Sequence, residues 1–337
     1  MSHSVVVGGA GFIGSWVVEE ILKDPEAKVT IIDNLISSEK WNISTDKRVT
    51  FIEGSASEMA TFEKITIEVD FVFQLACFHG NQSSIARPFD DFENGLKTTL
   101  ATLEWVKNSY PTARVIYAGA GCAVAEKTWN VPRPVKEVDT TKLLHDSPYS
   151  ISKIVGEMYC LFYEQRYNLD IVRVRFQNVY GPREILGAGK WRGTEHTIWR
   201  NVIPTLIYRS LKGMDLKVFG ENASRDFVYV EDVARLVVEI AKTSTRSGLY
   251  NIASGEETFI LDLAHLIKQL TGSTSRIMNE SKREWDNSGR RYGDNFKLAS
   301  NLNLGPTIGI LEGLNLTVKW TIENLSQIQD TILKHNL

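Results

Sequence analysis

A tyrosine and a lysine four residues apart, Tyr149 and Lys153 in the run PYSISK, form a pair suited to proton transfer. On a helix this spacing places both side chains on one face. A free phenol has a pKa of about 10, and an adjacent ammonium favours its deprotonated form because opposite charges stabilise each other. We therefore predict that Tyr149 acts as a base beside Lys153.

The first residues of the chain, Ser4–Ser15, read SVVVGGAGFIGS and combine a short strand pattern with closely spaced glycines. The β-branched run is too short for a helix and is typical of a buried parallel strand. Gly8 permits a sharp turn, Gly11 lets the backbone approach a pyrophosphate, and Gly14 lets the next helix pack closely. The positive end of that helix then binds the anion. This stretch predicts the first turn of a dinucleotide-binding fold.

Asp33 stands at the end of the second predicted strand, Lys28–Ile32, about 20 residues beyond the glycines. A carboxylate there accepts hydrogen bonds from both ribose hydroxyls of an adenosine and repels the extra phosphate of NADP. No arginine follows at Asn34. We therefore predict NAD as the cofactor and exclude an NADPH-dependent reductase. The positive charge of an oxidised nicotinamide would act with Lys153 to favour the Tyr149 phenolate.

Strand and helix patterns alternate through the first half of the chain and loosen in the second. Further predicted strands are Val49–Glu53, Phe71–Leu75, Arg114–Ala118 and Ile171–Arg175, and the main helices are Phe12–Asp24, Phe89–Asn108 and Ser147–Tyr167. This alternation predicts an α/β fold, a Rossmann-type doubly wound parallel sheet with a smaller, interleaved α/β C-terminal substrate lobe. We expect the NAD-binding domain at 1–177 plus about 226–250, and the substrate lobe at about 178–225 and 251–337.

The composition argues against several classes of protein. The 337 residues carry a net charge of −3 with both signs interspersed, which gives no support to binding of nucleic acid or a membrane surface. No apolar run approaches the ~20 residues of a membrane span, and the N-terminus lacks the basic region of a signal peptide. Three sparse cysteines, Cys77, Cys122 and Cys160, indicate reduced thiols and a cytoplasmic protein. There is no CxxC or paired-histidine spacing, so we expect no metal site.

The GxxGxxG spacing, the Tyr149–Lys153 pair and the run RFQNVYGP (Arg175–Pro182) resemble the extended short-chain dehydrogenase/reductases that act as nucleotide-sugar epimerases and dehydratases. Within that family, the runs FHGNQSS, AGAGCAVAEKT and ILGAGKWRGTEHTIWRNVIP resemble epimerase/dehydratases of bacterial O-antigen biosynthesis. The resemblance implies bound NAD, a nucleotide-sugar substrate and a homodimer. In the family, the two helices predicted at Phe89–Asn108 and Ser147–Tyr167 form an intersubunit four-helix bundle.

The resemblance also implies roles for individual residues. Those implied for the cofactor are Gly8, Gly11, Phe12, Ile13, Gly14, Asp33, Asn34, Ser55, Leu75, Ala76, Tyr149 and Lys153. Those implied for the substrate are Ser84, Asn178, Asn201, Arg225, Arg283 and Asp286. Asn201 and Arg225 match positions that bind the diphosphate, while Arg283 and Asp286 match a pair near the nucleotide ribose and phosphate. Arginine suits such positions because its planar fork binds phosphate oxygens bidentately.

One position departs from the family pattern. The third catalytic member of the family is a serine or threonine after the fifth strand, and Ala120 stands in its place. Either a water or the substrate's own hydroxyl relays the proton to Tyr149, or Cys122 has taken a role. Cys122 matches the cysteine acid/base of related enzymes that act on GDP-sugars, but their partner histidine corresponds to Asn201 here. We therefore interpret Cys122 as a small buried thiol and retain it as a catalytic candidate.

The predicted reaction is NAD-dependent epimerisation of a nucleotide sugar at carbon 4 through a transient 4-keto intermediate. The sugar would be a UDP-hexose, acetamidohexose or hexuronate. Gly121 and Cys122 replace the two carboxyl groups that dehydrating relatives use, and the glutamate of decarboxylating relatives is also absent. Three alternatives remain: a 4,6-dehydratase, an epimerase assisted by Cys122, and a non-catalytic protein that binds NAD and a nucleotide sugar.

An insertion at Gly181–Arg200 is rich in cationic and aromatic residues. Its members are Arg183, Lys190, Arg192 and Arg200, the acids Glu184 and Glu195, and the indoles Trp191 and Trp199. A cationic, aromatic lid of this kind could select an acidic or acetamido sugar.

Overall fold

The computed structural model describes residues 2–78, 80–125, 128–139, 145–190, 198–199, 201–243, 247–284 and 286–334. Its main sheet has seven parallel strands. Across the sheet they lie in the order Gly248–Ile252, Ile171–Phe176, Arg114–Ala120, Phe71–Gln74, His3–Val7, Lys28–Asp33 and Val49–Glu53. These strands are β1 (His3–Val7), β2 (Lys28–Asp33), β3 (Val49–Glu53), β4 (Phe71–Gln74), β5 (Arg114–Ala120), β6 (Ile171–Phe176) and β11 (Gly248–Ile252). The predicted Rossmann-type parallel sheet is confirmed.

Helices cover both faces of this sheet, which explains why Val5, Val6 and Val7 are all fully buried. On one face, α1 (Phe12–Leu22) packs with α9 (Val230–Lys242) through apolar side chains around Val17 and Val237. On the other face, α5 (Thr98–Ser109) packs with α7 (Pro148–Tyr167) around Leu103 and Cys160.

The helix predicted at Phe89–Asn108 is present, but its centre is not α-helical. A short α4 (Pro88–Asp91) continues without a break into a π-helical stretch at Phe92–Lys97 and then into α5. Two hydroxyl groups in the first turn of α5 donate to backbone carbonyls: Thr98 Oγ1 to Glu93 O at 3.2 Å and Thr99 Oγ1 to Gly95 O at 3.0 Å. These bonds satisfy carbonyls within the widened turn, and apolar spacing alone does not reveal them.

A second core lies beside the carboxyl ends of the strands. Its apolar centre is formed by α8 (Val202–Leu211), α10 (Ile260–Leu270) and α12 (Ile310–Glu323). Three two-stranded ladders complete it: β7 (Asn178–Tyr180) with β10 (Phe227–Tyr229), β8 (Leu216–Phe219) with β13 (Ile277–Glu280), and β9 (Ser224–Arg225) with β12 (Thr258–Phe259). The remaining helices are α2 (Met59–Phe62), α3 (Asn81–Ala86), α6 (Gly121–Val124), α11 (Phe296–Leu302) and α13 (Leu325–Leu333).

The two cores are joined by hydrogen bonds as well as by the chain. Asp232 on α9 accepts from the backbone N–H groups of Thr307 and Ile308, which lie beside the second core, at 2.8 and 2.7 Å. Within the described ranges, no helix is long and apolar enough to cross a membrane.

Candidate active site

The glycine turn, Gly8–Gly14, connects β1 to α1 at the carboxyl edge of the sheet. Gly8 has φ +86°, and a Cβ there would lie 2.8 Å from the Ala76 backbone. A Cβ at Gly14 would overlap the carbonyl oxygen of Gly8. Neither position admits a side chain, so the backbone of the turn and the first N–H groups of α1 stay accessible to an anion.

Asp33, the last residue of β2, faces this turn. Its carboxylate accepts hydrogen bonds from Ala10 N–H at 3.1 Å, Leu35 N–H at 2.8 Å and the Ser38 hydroxyl at 2.8 Å. Burial raises the pKa of Asp33, and these hydrogen bonds oppose that effect. The carboxylate therefore ties the glycine turn to the loop after β2.

Helix α7 begins with an N-cap. Pro148 occupies its first turn, and the Ser147 hydroxyl accepts from Ser150 N–H at 3.3 Å. One turn beyond Lys153, Glu157 forms a buried ion pair with Arg175 of β6 at 2.7 Å. The helix start and its attachment to the sheet are thus both fixed, and Tyr149 lies in the first turn.

The side chains of Tyr149 and Lys153 meet as the four-residue spacing predicts. The Lys153 ammonium lies 5.9 Å from the centre of the Tyr149 ring and donates to Ala118 O at 2.7 Å. Burial raises the pKa of Tyr149 well above its ordinary value, and the thiols of Cys77 and Cys122 act in the same direction. Lys153 alone therefore does not make this phenol acidic.

Ala120 is buried against Ile154, with Cys122 and Tyr149 packed beside it. Next to it, a Cβ at Gly121 would overlap the side-chain amide of Gln177. The Gln177 Nε2 atom is buried and has no hydrogen-bond partner among the described residues. A donor without an acceptor thus lies close to the position where the family carries a hydroxyl.

Arg225, Asp286 and Arg291 form what we call the arginine cluster. Arg225 donates to Ser224 O and Gly289 O, both at 2.7 Å, and pairs with Asp286 at 3.3 Å. Burial, together with the like charge of Arg291, lowers the pKa of Arg225 to about 9. Although burial acts in the opposite direction, Arg225 and the Ser288 N–H hold the pKa of Asp286 below its ordinary value.

A cavity of about 570 Å³ connects these groups. The predicted site residues that line it are Gly8, Gly11, Phe12, Ile13, Gly14, Asp33, Asn34, Leu75, Ala76, Cys122, Tyr149, Lys153, Asn178, Asn201, Arg225, Arg283 and Asp286. The structure thus brings together residues that the sequence separates by more than 250 positions. The Asn201 amide, predicted to bind the diphosphate, donates to Glu184 here.

Two predicted site residues do not reach the described cavity wall. Ser84 is fully buried, donates to Asn81 O at 2.8 Å and accepts from Tyr149 N–H at 3.1 Å, so it supports the start of α7. The Ser55 hydroxyl is hydrogen-bonded to Ser57 at 2.9 Å, and its neighbours Gly54 and Ala56 line the cavity instead. Both serines are engaged locally, which a motif match does not reveal.

Part of the predicted lid lies outside the described residues, namely Trp191, Arg192, Glu195 and Arg200. The residues directly before these, Gly189 and Lys190, cross the loop that follows β2. The Lys190 N–H donates to the carbonyls of Leu35 and Ile36 at 3.3 and 3.1 Å, and the Gly189 N–H donates to Glu39 at 2.8 Å.

The sequence model of the NAD dependent epimerase/dehydratase family matches residues 4–253. The chain belongs to this family. WbmF of Bordetella bronchiseptica, solved with NAD⁺ and UDP, is 43% identical with a TM-score of 0.88, over 99% of this chain and 96% of WbmF. Thermotoga maritima UDP-glucose 4-epimerase with UDP-glucose is 29% identical with a TM-score of 0.85, over 96% and 99% of the two chains. The UDP-glucuronate 4-epimerase of Thermodesulfobacterium geofontis is 28% identical, over 98% of this chain and 99% of its own.

The protein is accordingly an NAD-dependent enzyme of nucleotide-sugar metabolism, and the predicted cofactor is confirmed. The chain's own residues fit that cofactor. The glycine turn lines the cavity and can close only with glycine at Gly8 and Gly14, and Asp33 offers carboxylate oxygens at the end of β2, where a ribose is bound in this fold.

Gln177 and Arg291 are among the cavity residues that were not predicted from the sequence. Gln177 lies inside the quoted run RFQNVYGP, one residue before Asn178. Arg291 follows Arg290, and in extended backbone such neighbours point to opposite sides. The tandem arginines after the REWD run could have indicated that one of them faces the cavity.

Proposed function

We propose that the protein is an NAD-dependent nucleotide-sugar 4-epimerase. The observation that carries the proposal is the placement of Tyr149 and Lys153 on the wall of one cavity that also reaches the glycine turn and the arginine cluster. A nucleotide sugar bound across the cavity would meet Arg225 with its diphosphate and Tyr149 with its sugar. The names of the similar epimerases support the same reaction class.

In this proposal Tyr149 removes the proton of the sugar 4-hydroxyl and later returns it. When bound, NAD supplies a reversible two-electron oxidation of carbon 4. Burial raises the pKa of Tyr149, so the reaction requires the added positive charges of Lys153 and the oxidised nicotinamide to favour the phenolate. Rotation of the 4-keto sugar within the cavity then allows reduction on its other face.

We propose that the Gln177 amide replaces the hydroxyl missing at Ala120. Its Nε2 atom is buried without a partner next to Gly121, and Gln177 lines the cavity. An unpartnered buried amide costs free energy unless a ligand oxygen accepts its hydrogen bond. The substrate oxygen at carbon 4 is an acceptor of the required kind.

A dehydratase is the less favoured alternative. Elimination of water needs a general acid and a base near carbons 5 and 6, whereas Gly121 and Cys122 carry no carboxyl group there. Cys122 lines the cavity next to Tyr149, which keeps a thiol-assisted epimerase as a variant of the main proposal.

The test is ¹³C NMR of UDP- and GDP-sugars incubated with the NAD-loaded protein. We expect at least one sugar to return with inverted configuration at carbon 4. A stable 4-keto product would instead identify a dehydratase, and binding of nucleotide sugars without any chemical change would contradict enzymatic function altogether.

We also propose a homodimer that buries an apolar face on α7 and the segment before α5. Exposed apolar side chains on this face are Phe89, Phe92, Ile151, Met158, Leu161 and Phe162. Half-exposed large side chains in such a row are typical of an interface between subunits.

Phe162→Asp should convert the dimer into a monomer, because it places a charge in the apolar interface. Light scattering coupled to gel filtration measures the mass. Phe296→Asp is the matched control, since Phe296 is more exposed (72% against 51%) and lies on α11, whose Leu298 packs on the other face of the sheet from α7. A dimer that persists in Phe162→Asp, or a wild-type monomer, would contradict this interface.

A further inference from the structure

Arg291 has the least satisfied guanidinium in the described wall of the cavity. The residue is 94% buried, with 6% of its surface exposed. Its Nε and Nη1 atoms are buried and have no hydrogen-bond partner among the described residues. A buried charge of this kind is costly unless an anion pairs with it. We therefore expect a ligand to supply the hydrogen-bond acceptors that Arg291 lacks.

The backbone around Arg291 is fixed on both sides. Arg290 N–H donates to Thr128 O at 2.7 Å, Tyr292 O accepts from Val135 N–H at 3.0 Å, and Gly293 N–H donates to Asp226 at 3.0 Å. The guanidinium is thus presented from a rigid segment, which lowers the entropic cost of binding.

The preceding residue, Arg290, is an arginine whose guanidinium is paired with an acid of the protein. Arg290 forms a bidentate pair with Glu257, with N–O distances of 2.8 and 2.7 Å. It does not contribute to the described cavity wall, whereas Arg291 does. Two adjacent residues of one type therefore differ in whether the protein supplies the anion.

The position of Arg291 relates it to the sugar. Two residues on, a Cβ at Gly293 would lie 2.7 Å from Gln177 Nε2, and Gln177 in turn packs on Gly121 beside Ala120. Arg225 interacts electrostatically with both Arg291 and Cys122, and Cys122 packs beside Tyr149. Arg291 thus lines the same cavity as Gln177, Cys122 and Tyr149 and interacts electrostatically with the Arg225 guanidinium.

Arg225 forms an ion pair with Asp286 at 3.3 Å, and Asp286 also interacts electrostatically with Arg291. Arg291 has no hydrogen-bonded acid among the described residues. A hydroxymethyl or acetamido group on the sugar offers this guanidinium one neutral acceptor oxygen, whereas a carboxylate matches its fork with two charge-assisted hydrogen bonds.

We propose that Arg291 binds the carboxylate of the hexose, so that the substrate is a UDP-hexuronate and not a neutral UDP-hexose. This inference rests on the proposed function for the placement of the sugar. Because carboxylate and diphosphate oxygens are both anionic acceptors for a guanidinium, UDP alone must be tested beside the sugars.

The test is calorimetric titration of the NAD-loaded protein with UDP-glucuronate, UDP-glucose and UDP. These two sugars differ at carbon 6, where one carries a carboxylate and the other a hydroxymethyl group. We expect wild type to bind UDP-glucuronate about 10- to 100-fold more tightly than UDP-glucose, as for a charge-assisted pair. Arg291→Gln should abolish that difference and leave the affinity for UDP unchanged.

Two further variants make the result specific. Arg291→Lys keeps the charge but loses the fork, so it should retain part of the preference. Arg290→Gln, which breaks the pair with Glu257, should retain all of it. The UDP titration also shows that each variant is folded.

Equal binding of both sugars by wild type, a preference that survives in Arg291→Gln, or binding of neither sugar would overturn the proposal. So would an equal loss of UDP affinity in Arg291→Gln, which would place the guanidinium on the diphosphate. None of these titrations depends on turnover. A failure to epimerise would therefore overturn the proposed function while leaving a measured carboxylate preference intact.

Discussion

The glycine turn and the arginine cluster line the same cavity, but they are built in different ways. The turn is shaped by backbone, and its charged partner Asp33 already accepts hydrogen bonds from Ala10, Leu35 and Ser38. Around the arginine cluster, by contrast, polar atoms of Gln177 and Arg291 are buried without partners in the described structure. In the first region the protein itself supplies the hydrogen-bond partners of the buried polar groups, whereas in the second a ligand must supply them. Substitutions in the two regions should therefore have opposite effects on stability.

The largest effect is expected from Gly14→Ala. The added Cβ would overlap the Gly8 carbonyl oxygen, so the turn must move. We expect loss of measurable NAD binding and a decrease of about 1–3 kcal/mol in the free energy of unfolding. Calorimetric titration with NAD and thermal melting measure the two effects.

Gly305→Ala is the matched control, because a Cβ there meets no atom within 4 Å. It should bind NAD like wild type. If Gly14→Ala also binds NAD normally, the turn is not the cofactor site that we infer.

The next effect is expected from Tyr149→Phe, which changes one atom on the wall between the two regions. Loss of the proton acceptor should lower turnover by about 10²- to 10⁴-fold. NAD and UDP should bind as before, because the ring and its packing remain. Assay of the converted sugar measures turnover, and titrations with NAD and with UDP measure binding. Substantial remaining turnover would exclude Tyr149 as the base.

The smallest effect is expected from Gln177→Leu, which should lower turnover about tenfold through loss of one hydrogen bond. Thermal stability should stay equal or rise, because the substitution removes an unpartnered buried amide. Adding Ala120→Ser should restore part of the turnover, since a hydroxyl then lies where the family has one. A loss of stability without loss of turnover would assign Gln177 a structural role.

The same contrast explains what could be predicted from the sequence. The parallel sheet, the glycine turn and the Tyr149–Lys153 pair depend on local spacing, and the structure contains each of them. The π-helical stretch at Phe92–Lys97 could not be predicted, because its apolar pattern is that of an ordinary α-helix.

The arginine cluster depends on contacts between distant segments, so motif order indicated Arg225 and Asp286 but not Arg291. Ser55 and Ser84 show a second limit of motif matching. Their positions match the family, but each hydroxyl is bonded to a neighbouring residue of the described structure. A motif gives the residue type at a position and does not give the local bonds that it makes.

The crossing of Gly189 and Lys190 over the loop after β2 has a consequence for engineering. Backbone N–H groups of this segment donate to the carbonyls of Leu35 and Ile36 and to the carboxylate of Glu39. The region before the predicted lid and the loop beside Asp33 therefore form one unit. A graft that replaces residues 181–190 alone would leave donors and acceptors of the neighbouring loop unmatched. Exchange of sugar preference between relatives by loop transplantation therefore requires both segments to be moved together.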